Sequence, residues 1–519
     1  AREGGRIHAT YPDRMRAMRT AVSFTLVLGI ALAGAAPAVG AEARAVAQWS
    51  MIPQAKDANG DGIIDGDGGV PRRGALSLSP STTFVGEGNR VAQPHERLIG
   101  GALSWYLSDR GFPVRLDACD STGDRYRWQV RSAQASALTT PWQPLSRKRC
   151  ARTVFLPEGR YELALEVRSG RATDRTTVDA DVRNILVVAL GDSYASGEGN
   201  PRNVEAWVDS GSIGAFDPYW DDAACDRSAR GAPAQAALLL EKSSPYTSVT
   251  LVDVACSGAT VNQGVLGRQA SAGTPASQIE QARSIIGDRA VDLVTISVGG
   301  NDVGFTSVLE ACALRTDCPL TRATRAPLSA YPTVQDGVQA ETAALAAKYR
   351  RIASCLGGTS CLLVDGRTVP ALAMAEGARV LPTLYPDITR AANGQPCSYF
   401  TIDATDFAWA RETILTPDPS SPYAYPLARG GTASLSVAQG SLNQQVAATA
   451  SLPRWRPVTG TWSASGDSTT GHGVCAGAQS WVFGATLLSS FPSASFHPNT
   501  PGQEALAGAL GEAMRDAVN

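Results

Sequence analysis

The feature that most constrains the fold is a short apolar run that stops at a glycine. Residues 185–190 read Ile-Leu-Val-Val-Ala-Leu, and Gly191, Asp192 and Ser193 follow directly. The run has the length and β-branched content of a buried strand, and Gly191 is a strong chain breaker. A serine on the turn after such a strand lies at the end of a sheet, where open α/β sheets bind ligands. Ser193 is therefore a candidate nucleophile, with an ordinary strand-to-loop turn as the alternative.

The chain after residue 184 alternates between strand and helix patterns. Apolar runs predict strands over residues 185–190, 249–254, 293–298 and 379–384. Helical spacing of apolar residues predicts helices over residues 234–240, 278–286 and 338–352. This alternation is typical of a parallel sheet covered by helices on both faces, an α/β fold of three layers. Residues 387–475 are rich in Pro, Ser and Gly, which predicts a long loop-rich insertion.

The last element predicted is a C-terminal helix. Thr500 is a suitable N-cap, Pro501 suits the first helical position and Gln503 completes a capping box. Leu506, Leu510 and Met514 then form one apolar stripe. A helix that packs on the sheet along this stripe fixes the loop before it, and His497 lies in that loop.

The chain upstream of this part reads differently. Alternating apolar and polar residues over 161–168, and the stretch 126–130, predict strands without a competing helical pattern. With 519 residues, two domains are expected. The predicted division is residues 1–41 (upstream residues and signal peptide), 42–74 (acidic, glycine-rich linker), 75–183 (small all-β sandwich, an accessory domain) and 184–519 (the α/β domain).

The N-terminal residues predict export. A basic stretch over 15–19 precedes an uncharged apolar run over 21–36, and small residues at 39–41 suit a signal peptidase. An anchor that stays uncleaved is the alternative, and no other run has the length of a membrane span. The net charge of −2 gives no reason to expect nucleic acid or an anionic membrane surface as a partner.

The ten cysteines are even in number, and export favours disulfides. Counting leaves the connectivity open. Sequential pairing is expected, as Cys119–Cys150, Cys225–Cys256, Cys312–Cys318, Cys355–Cys361 and Cys397–Cys475. No Cys-x-x-Cys pair with a matching histidine set occurs, so a zinc site is not expected.

One stretch of the linker is similar to the start of an EF-hand loop. Oxygen-bearing side chains alternate at Asp57, Asn59 and Asp61, and Asp65 follows. This spacing could wrap a hard cation such as Ca²⁺. The pattern departs at Gly68, where a bidentate Glu is expected. The stretch therefore predicts a structural calcium site, with a flexible acidic linker as the alternative.

Four short blocks in the α/β part follow strands or precede a helix. They are Gly191-Asp192-Ser193, Ala255–Thr260, Gly299–Asp302 and His497-Pro498. One crevice at the carboxyl ends of the strands can gather them. The ordered set resembles the SGNH/GDSL hydrolase superfamily over residues 184–519. The Gly-Asp-Ser-Tyr-x-x-Gly-x-Gly form and the Ala-Cys-Ser-Gly-Ala block are most similar to its secreted bacterial esterase/lipase branch.

The resemblance implies acyl-transfer chemistry. Ser193 would attack an ester carbonyl, and His497 would take its proton and pass it to the leaving alcohol. The oxyanion would be held by the backbone N–H groups of Ser193 and Gly258 and by the side-chain amide of Asn301. Asp192 and Asp302 are expected to brace their loops.

One position departs from the family pattern. The family carries Asp three residues before the histidine, whereas this chain has Ala494. The expectation is that a main-chain carbonyl, of Ser495 or Ala494, orients the imidazole of His497 instead. A serine–histidine dyad can then work, because the third group mainly fixes tautomer and orientation. An aspartate from elsewhere in the chain is the alternative.

Other candidates compete with these residues. His472 is a rival general base in a loop near Cys475, and Gly466-Asp467-Ser468 repeats the nucleophile block without a strand before it. His95 is expected at the surface. The aromatic residues after the nucleophile predict an acyl-binding wall or core packing, with no preference between them: Trp207, Phe216, Tyr219 and Trp220.

The sequence thus predicts a secreted serine esterase or lipase that needs no cofactor for catalysis. Its partner would be an ester substrate: a lipid, a small ester or an acylated glycan. Two alternatives remain, a glycan O-acetylesterase and a secreted polysaccharide- or surface-binding protein with an inactive hydrolase-like domain.

Overall fold

The computed structural model describes residues 42–52, 111–132, 137–209, 216–274, 276–417, 423–435, 440–465, 470–486 and 491–519. Its strands are β1 (Gln48–Met51), β2 (Phe112–Asp117), β3 (Arg125–Arg131), β4 (Leu138–Thr139), β5 (Gln143–Pro144), β6 (Ala151–Leu156), β7 (Gly159–Ser169), β8 (Ala172–Gly191), β9 (Thr247–Asp253), β10 (Val291–Ser297), β11 (Ser360–Leu362), β12 (Thr368–Pro370), β13 (Met374–Pro382), β14 (Tyr423–Pro426) and β15 (Thr432–Leu435).

The α-helices are α1 (Ser193–Ser196), α2 (Val204–Asp209), α3 (Ala232–Lys242), α4 (Gln278–Ile286), α5 (Phe305–Leu314), α6 (Val334–Ser354), α7 (Ala404–Ala410), α8 (Leu442–Ala448), α9 (Gly460–Ser463) and α10 (Thr500–Val518). A π-helical turn, Arg411–Leu415, continues α7. Among the described residues, no helix combines the length and the apolar character that crossing a membrane requires.

The longest strand, β8, organises the sheet. Its first half pairs antiparallel with β7, from Ala172 to Val182. Its second half pairs parallel with β9 on one side and with β10 on the other, and β13 lies beyond β10. The eight-stranded sheet is therefore mixed, and the prediction of a parallel sheet was wrong in this respect. The reason is that one strand runs from the antiparallel part into the parallel part without a break.

The second half of β8 is buried on both faces. Ile185, Val187 and Ala189 pack against α3 and α10. The alternate residues Leu186, Val188 and Leu190 pack with α4, α5 and α6. Because successive side chains point to opposite faces of a strand, this run of apolar residues requires a helix layer on each side. The three-layer arrangement predicted for this part is the one observed.

The N-terminal strands enclose a separate hydrophobic core. β1, β2 and β6 form a three-stranded antiparallel sheet, and β3 and β7 continue the large sheet beyond β8. Their side chains meet in one cluster centred on Val114, Leu116, Trp128, Leu163 and Leu165. The β-sandwich predicted over 75–183 is not confirmed as a domain, because residues 53–110 lie outside the described residues. β8 crosses the predicted boundary at 183/184, and the domain division stays a prediction.

All five predicted disulfides are present, as Cys119–Cys150, Cys225–Cys256, Cys312–Cys318, Cys355–Cys361 and Cys397–Cys475. The pair Cys397–Cys475 spans most of the loop-rich insertion, with a sequence separation of 78. That insertion also carries helical turns, α7 to α9, and the hairpin β14–β15. The predicted signal peptide (1–41), the calcium residues Asp57, Asn59, Asp61 and Asp65, His95 and Ser468 lie outside the described residues.

The C-terminal helix begins one residue earlier than predicted. Asn499, not Thr500, is the N-cap, and its side chain accepts from Gly502 N at 3.0 Å. Thr500 is the first helical residue, and its hydroxyl donates to Asn200 Oδ1 at 3.2 Å. The hydroxyl that was expected to cap α10 instead connects it to the loop after Ser193.

Candidate active site

Ser193 stands on a turn that only glycine at 191 allows. Gly191 has φ +134°, and a Cβ on it would lie 2.0 Å from the carbonyl oxygen of Ser297 on β10. The side-chain amide of Gln278 fixes both polar groups of this glycine, accepting from Gly191 N and donating to its carbonyl, each at 2.8 Å. α1 starts at Ser193 with Asp192 as its N-cap. The chain thus leaves the strand abruptly and presents Ser193 at the sheet edge.

His497 lies in a tightly turned loop ahead of α10. A 3₁₀ turn over Pro492–Ala494 precedes it. His497 Nδ1 is 2.8 Å from the carbonyl oxygen of Ser493. The expectation that Ser495 or Ala494 supplies this carbonyl was wrong. The carbonyl of Ala494 already accepts the backbone N–H of His497 at 3.0 Å, and Ser493 is the residue whose carbonyl faces the ring.

The nucleophile loop and the histidine loop are bonded to each other. Tyr194 Oη donates to the carbonyl of Phe496 at 3.0 Å. The side-chain amide of Asn200 donates to the carbonyl of Pro498. Gly199, at φ +90°, has no room for a side chain, because a Cβ would lie 3.1 Å from His497 Cβ. These contacts leave little space for a side chain at position 199, and they fix the separation of the two loops.

The three predicted oxyanion donors differ in their surroundings. Asn301 lines a cavity that Ser193 and His497 also line. Its amide donates one hydrogen to the carbonyl of Ala259 at 3.0 Å. Gly258 has φ +75° and is exposed. Among the described residues, no acceptor takes the backbone N–H of Ser193 or of Gly258. Ser193 and Asn301 are among the described residues that line the cavity, whereas Gly258 is not. The donors available to a ligand in the cavity are therefore the N–H of Ser193 and one amide hydrogen of Asn301.

Asp192 is connected to the third block through a residue that the sequence did not single out. Tyr385 Oη donates to Asp192 Oδ2 and accepts from Gly300 N at 2.9 Å. Asp192 also accepts from Tyr194 N at 3.1 Å. Burial raises the pKa of Asp192 to about 7. The expected bracing role of Asp192 fits this network, and Tyr385 is the partner that joins the Gly299–Asp302 block to the nucleophile turn.

Asp302 braces the second and third blocks. Its carboxylate accepts from Val261 N at 2.9 Å and pairs with Lys348 Nζ at 2.9 Å. Lys348 also pairs with Glu341 at 3.3 Å. Asp302 is thus fully engaged in holding the loop that carries Gly258 beside the loop that carries Asn301, as the sequence predicted.

The site opens into a cavity of about 530 Å³. Ser193, Asn301 and His497 line it together. The remaining walls are mainly apolar: Phe305, Leu309, Ala313, Leu314, Ile388, Tyr399, Phe400, Ile402, Leu415, Leu442, Ala485 and Phe496. Phe400 is 78% exposed and Leu314 67% exposed, so the apolar lining reaches the solvent at the rim.

Of the two roles left open for the aromatic residues after the nucleophile, the structure supports core packing. Trp207, Trp220 and Phe216 pack against Phe491. None of these aromatic residues, nor Tyr219, is among the described residues that line the cavity. Their contacts with Phe491 hold the start of the histidine loop. The apolar wall of the cavity comes from α5 and from the insertion after residue 387.

The rival base His472 lies elsewhere. Its ring stacks on Trp481 with centroids 4.2 Å apart, and its Nδ1 contacts the carbonyl of Gln479 at 2.7 Å. It is not among the described cavity residues.

In the described part of the chain, potential metal ligands come close together in two places. The two clusters of close ligand atoms are Asp117, Cys119 and Cys150, and Cys312, Cys318 and Asp406. Each contains a disulfide, whose sulfurs are not thiolates and so are not available as ligands.

Sequence reasoning also missed Glu198. Its side chain is 8% exposed, lines the cavity and lies 3.3 Å from His497 Nε2. Ser257 Oγ donates to the same carboxylate oxygen. The available signal was an acidic residue between Gly197 and Gly199, five residues after the nucleophile, in a segment already assigned to the site.

The fold and the site define a hydrolase of the SGNH type with an α/β fold. Its serine lies on a strand-end turn, whereas the α/β-hydrolase fold family carries its serine on a nucleophile elbow. The GDSL-like lipase/acylhydrolase family matches residues 189–505, and the chain belongs to this family of ester-hydrolysing enzymes. The resemblance to SGNH/GDSL hydrolases is confirmed. No curated protein matches the chain.

Two solved structures are similar to this chain. One is a family two carbohydrate esterase from Clostridium thermocellum in complex with cellohexaose, 12% identical, with 79% of this chain and 93% of that chain covered and a TM-score of 0.26. The other is a carbohydrate esterase whose active site is described as having divergent catalytic and non-catalytic binding functions. It is 11% identical, with 78% and 90% covered and a TM-score of 0.27.

Proposed function

We propose that the protein hydrolyses carboxylic esters through an acyl-enzyme on Ser193, with His497 as general base. The observation that carries this proposal is that a strand-end serine, a histidine with its Nδ1 fixed, and an amide donor line one cavity. Among the described residues, no side chain hydrogen-bonds to Ser193 Oγ, and His497 Nε2 faces Glu198. The Ser193–His497 hydrogen bond of the reaction would form when substrate enters, as is common for apo enzymes.

The chemistry follows from these groups. His497 Nδ1 donates to Ser493, so Nε2 is the basic nitrogen that takes the proton of Ser193 as Oγ attacks the ester carbonyl. The oxyanion receives the N–H groups of Ser193 and Gly258 and the amide of Asn301. His497 then gives its proton to the leaving alkoxide. In the second half of the reaction, His497 takes a proton from water as the water oxygen attacks the acyl carbon. It returns this proton to Ser193 Oγ as the acyl–Oγ bond breaks and the acid is released.

The lining of the cavity supports an ester with an apolar acyl chain, as in a lipase. Phe305, Leu309 and Leu442 are examples of lining residues. Their side chains make apolar contacts and cannot hydrogen-bond to a sugar. An acyl chain longer than acetyl would use this apolar surface, which favours a lipase over a glycan O-acetylesterase. The alternative of a binding protein without activity is disfavoured because the serine, the histidine and the donors are all present.

Two further proposals concern the chain as a whole. The disulfides support folding in an oxidising compartment, so we propose that the protein is secreted. A structural calcium ion at Asp57, Asn59, Asp61 and Asp65 is proposed from their spacing alone. A melting temperature that does not change with a calcium chelator would remove the calcium proposal.

The deciding experiment is a panel of p-nitrophenyl esters from acetate to palmitate. We expect kcat/KM to rise with chain length beyond acetate, and Ser193→Ala or His497→Ala to lower kcat by at least about 10³-fold. Ser284→Ala, at an exposed serine on α4, and His472→Ala are the matched controls and should retain wild-type rates. Activity that survives Ser193→Ala would refute the nucleophile. A wild-type enzyme inactive on every ester would refute the function.

A further inference from the structure

The proposed reaction places a positive charge on His497 that the histidine loop itself does not balance. In a catalytic triad, a carboxylate on Nδ1 stabilises the imidazolium that forms. Here Nδ1 faces the neutral carbonyl of Ser493, and the position of the family's aspartate is Ala494. A carboxylate for this role must come from another segment.

Glu198 is placed to supply it. Glu198 Oε2 is 3.3 Å from His497 Nε2, and the two side chains are 8% and 19% exposed. The backbone N–H of Glu198 donates to the carbonyl of Ser193 at 3.1 Å, which ties the residue to the nucleophile turn. Among the described residues, no lysine or arginine pairs with Glu198. The imidazole of His497 is therefore the only basic group among the described residues that pairs with this carboxylate.

The contact between the two groups becomes favourable when the ring gains a proton. The carbonyl of Ser493 can only accept, so His497 Nδ1 carries a hydrogen. A neutral ring would then present the lone pair of Nε2 to a carboxylate oxygen, and two acceptors at 3.3 Å repel each other. Once Nε2 has taken the proton of Ser193, the contact becomes an imidazolium beside a carboxylate and is favourable.

A second loop holds the carboxylate in place. Ser257 Oγ donates to Glu198 Oε2. Ser257 is itself fixed, because its N–H donates to the carbonyl of Cys225 at 3.0 Å and its carbonyl accepts from the amide of Gln269. The loop that carries Gly258 therefore also positions Glu198. One carboxylate joins the nucleophile turn, the oxyanion loop and the histidine.

The other ionisable groups around this pair are acids. Burial raises the pKa of Asp226 to about 7, and the negative charge of Glu198 adds to the rise. The pKa of Asp192 is raised to about 7 by burial, with a smaller contribution from Glu198. Burial also raises the pKa of Tyr194, whose ring lies 5.8 Å from that of His497. Of these acids, Glu198 is the one whose carboxylate oxygen lies against Nε2 of the imidazole, at 3.3 Å.

We propose that Glu198 is the positioning residue that provides the negative charge for the imidazolium of His497, in place of the missing aspartate. It acts on the nitrogen that exchanges protons with Ser193 and the leaving alcohol. During acylation, the Oγ–H bond breaks, Nε2 takes the proton and Glu198 remains a carboxylate beside it. The stabilisation is greatest when the charge is present, so it lowers the barrier more than it tightens substrate binding. This inference rests on the proposed function.

The test uses the full chain in four forms: wild type, Glu198→Gln, Glu198→Ala and the conservative Glu198→Asp. Glu512→Gln, at an exposed glutamate on α10, is the matched control. The first readout is the pH titration of the ¹⁵N-labelled histidine rings by NMR, which needs no turnover; the chain has 4 histidines. The second is the pH profile of kcat and KM on the ester that the panel identifies.

We expect the titration midpoint of the His497 ring to fall by about one pH unit or more in Glu198→Gln and Glu198→Ala, and by less in Glu198→Asp. The midpoint of His472, whose Nδ1 contacts a carbonyl and which pairs with no carboxylate among the described residues, should not move. The acidic limb of kcat/KM should shift to lower pH with the ring. kcat should fall roughly tenfold or more, part of the 10²–10⁴ that general acid–base catalysis contributes, with KM little changed.

A His497 midpoint that stays fixed in the folded variants would overturn the inference, whatever happens to the rate. Loss of activity without movement of the midpoint would show a structural role and would also overturn it. Should Glu198→Gln and Glu198→Ala fail to fold, the graded shift in Glu198→Asp decides. An inactive wild type would refute the ester-hydrolase function, while the ring titration would still report on Glu198.

Discussion

Tyr385 donates a hydrogen bond to the buried carboxylate of Asp192, although 193 positions separate them along the chain. The same phenol oxygen accepts from Gly300 N at 2.9 Å. Through one hydroxyl, the turn that presents Ser193 is fixed to the loop that presents Asn301. The relative placement of nucleophile and oxyanion donor thus depends on a residue outside all four sequence blocks.

Tyr385→Phe tests this connection. The substitution leaves the buried carboxylate and the N–H of Gly300 without their partner, and should lower the free energy of unfolding by about 1–3 kcal/mol. The rate should fall as well, since Ser193 and Asn301 are no longer held together. Urea denaturation and kcat measure the two effects. Tyr246→Phe, at a tyrosine 51% exposed, should change stability by less than about 0.5 kcal/mol. Equal, small effects for both variants would contradict the connection.

Asp192 predicts a specific pH dependence of stability. Burial raises its pKa in the native protein from 3.8 to about 7. The native state therefore holds a proton that the unfolded chain releases, so this contribution is fully present below about pH 4. It is lost as the pH rises through about 7, at up to about 1.4 kcal/mol per pH unit in between.

Comparing wild type with Asp192→Asn isolates this contribution. Asp226, Asp253 and Asp406, whose pKa values burial also raises, are present in both proteins and cancel in the difference. Urea denaturation from pH 5 to 8 should show the wild type losing stability relative to the variant as the pH increases. Parallel stability curves would show that the carboxyl is ionised throughout.

Two disulfides of equal span offer a matched pair. Cys225–Cys256 and Cys119–Cys150 each have a sequence separation of 31, so removing either one should cost about 3–4 kcal/mol of stability in the loop-closure model. Of these four cysteines, Cys256 is the one beside the site, because Ser257 and Gly258 follow it directly. The double serine variant at 225 and 256 should lower kcat about 10- to 100-fold, whereas the variant at 119 and 150 should retain it. Thermal unfolding and ester hydrolysis compare them, and similar rates in both variants would refute a role in the site.

Two glycine substitutions should have opposite signs. Gly191→Ala would place a methyl group 2.0 Å from the carbonyl of Ser297, at φ +134°, and should destabilise the protein by at least about 3 kcal/mol. Gly508 lies on an exposed position of α10 with open space around its Cβ. Gly508→Ala should stabilise the protein by about 0.5–1 kcal/mol through helix propensity. Melting temperatures measure both, and a tolerated alanine at 191 would mean that the turn can relax.

Local patterns identified most elements of the α/β part. The predicted helix over 278–286 is α4 to the residue, and the predicted strand over 185–190 lies within β8. These segments succeed because burial on one or both faces imposes a period that can be read without knowing the partner. The N-cap of α10 was misplaced by one residue, because Asn499 and Thr500 are both good caps and a contact with Asn200 decides between them.

Atomic partners in the site could not be read in the same way. The sequence pointed to a main-chain carbonyl for His497 but not to that of Ser493, which depends on the turn at Pro492–Ala494. The aromatic residues after the nucleophile were equally compatible with a wall or a core until Phe491 was seen to pack on them. The position of Glu198 near the nucleophile was a weak signal and Tyr385 carried none, because the side-chain partners of both are distant in the chain.

The sequence by itself determined the strand-end serine, the order of the four blocks and the helix after His497. Each depends on short-range periodicity or chain breakers. Only the tertiary structure decided that the sheet is mixed, that Ser493 faces the imidazole, and that Glu198 and Tyr385 join the site. Such pairings are set by how loops from distant segments pack. A sequence pattern places an element only to within about one residue, whereas a hydrogen bond requires its two atoms at a defined distance and angle.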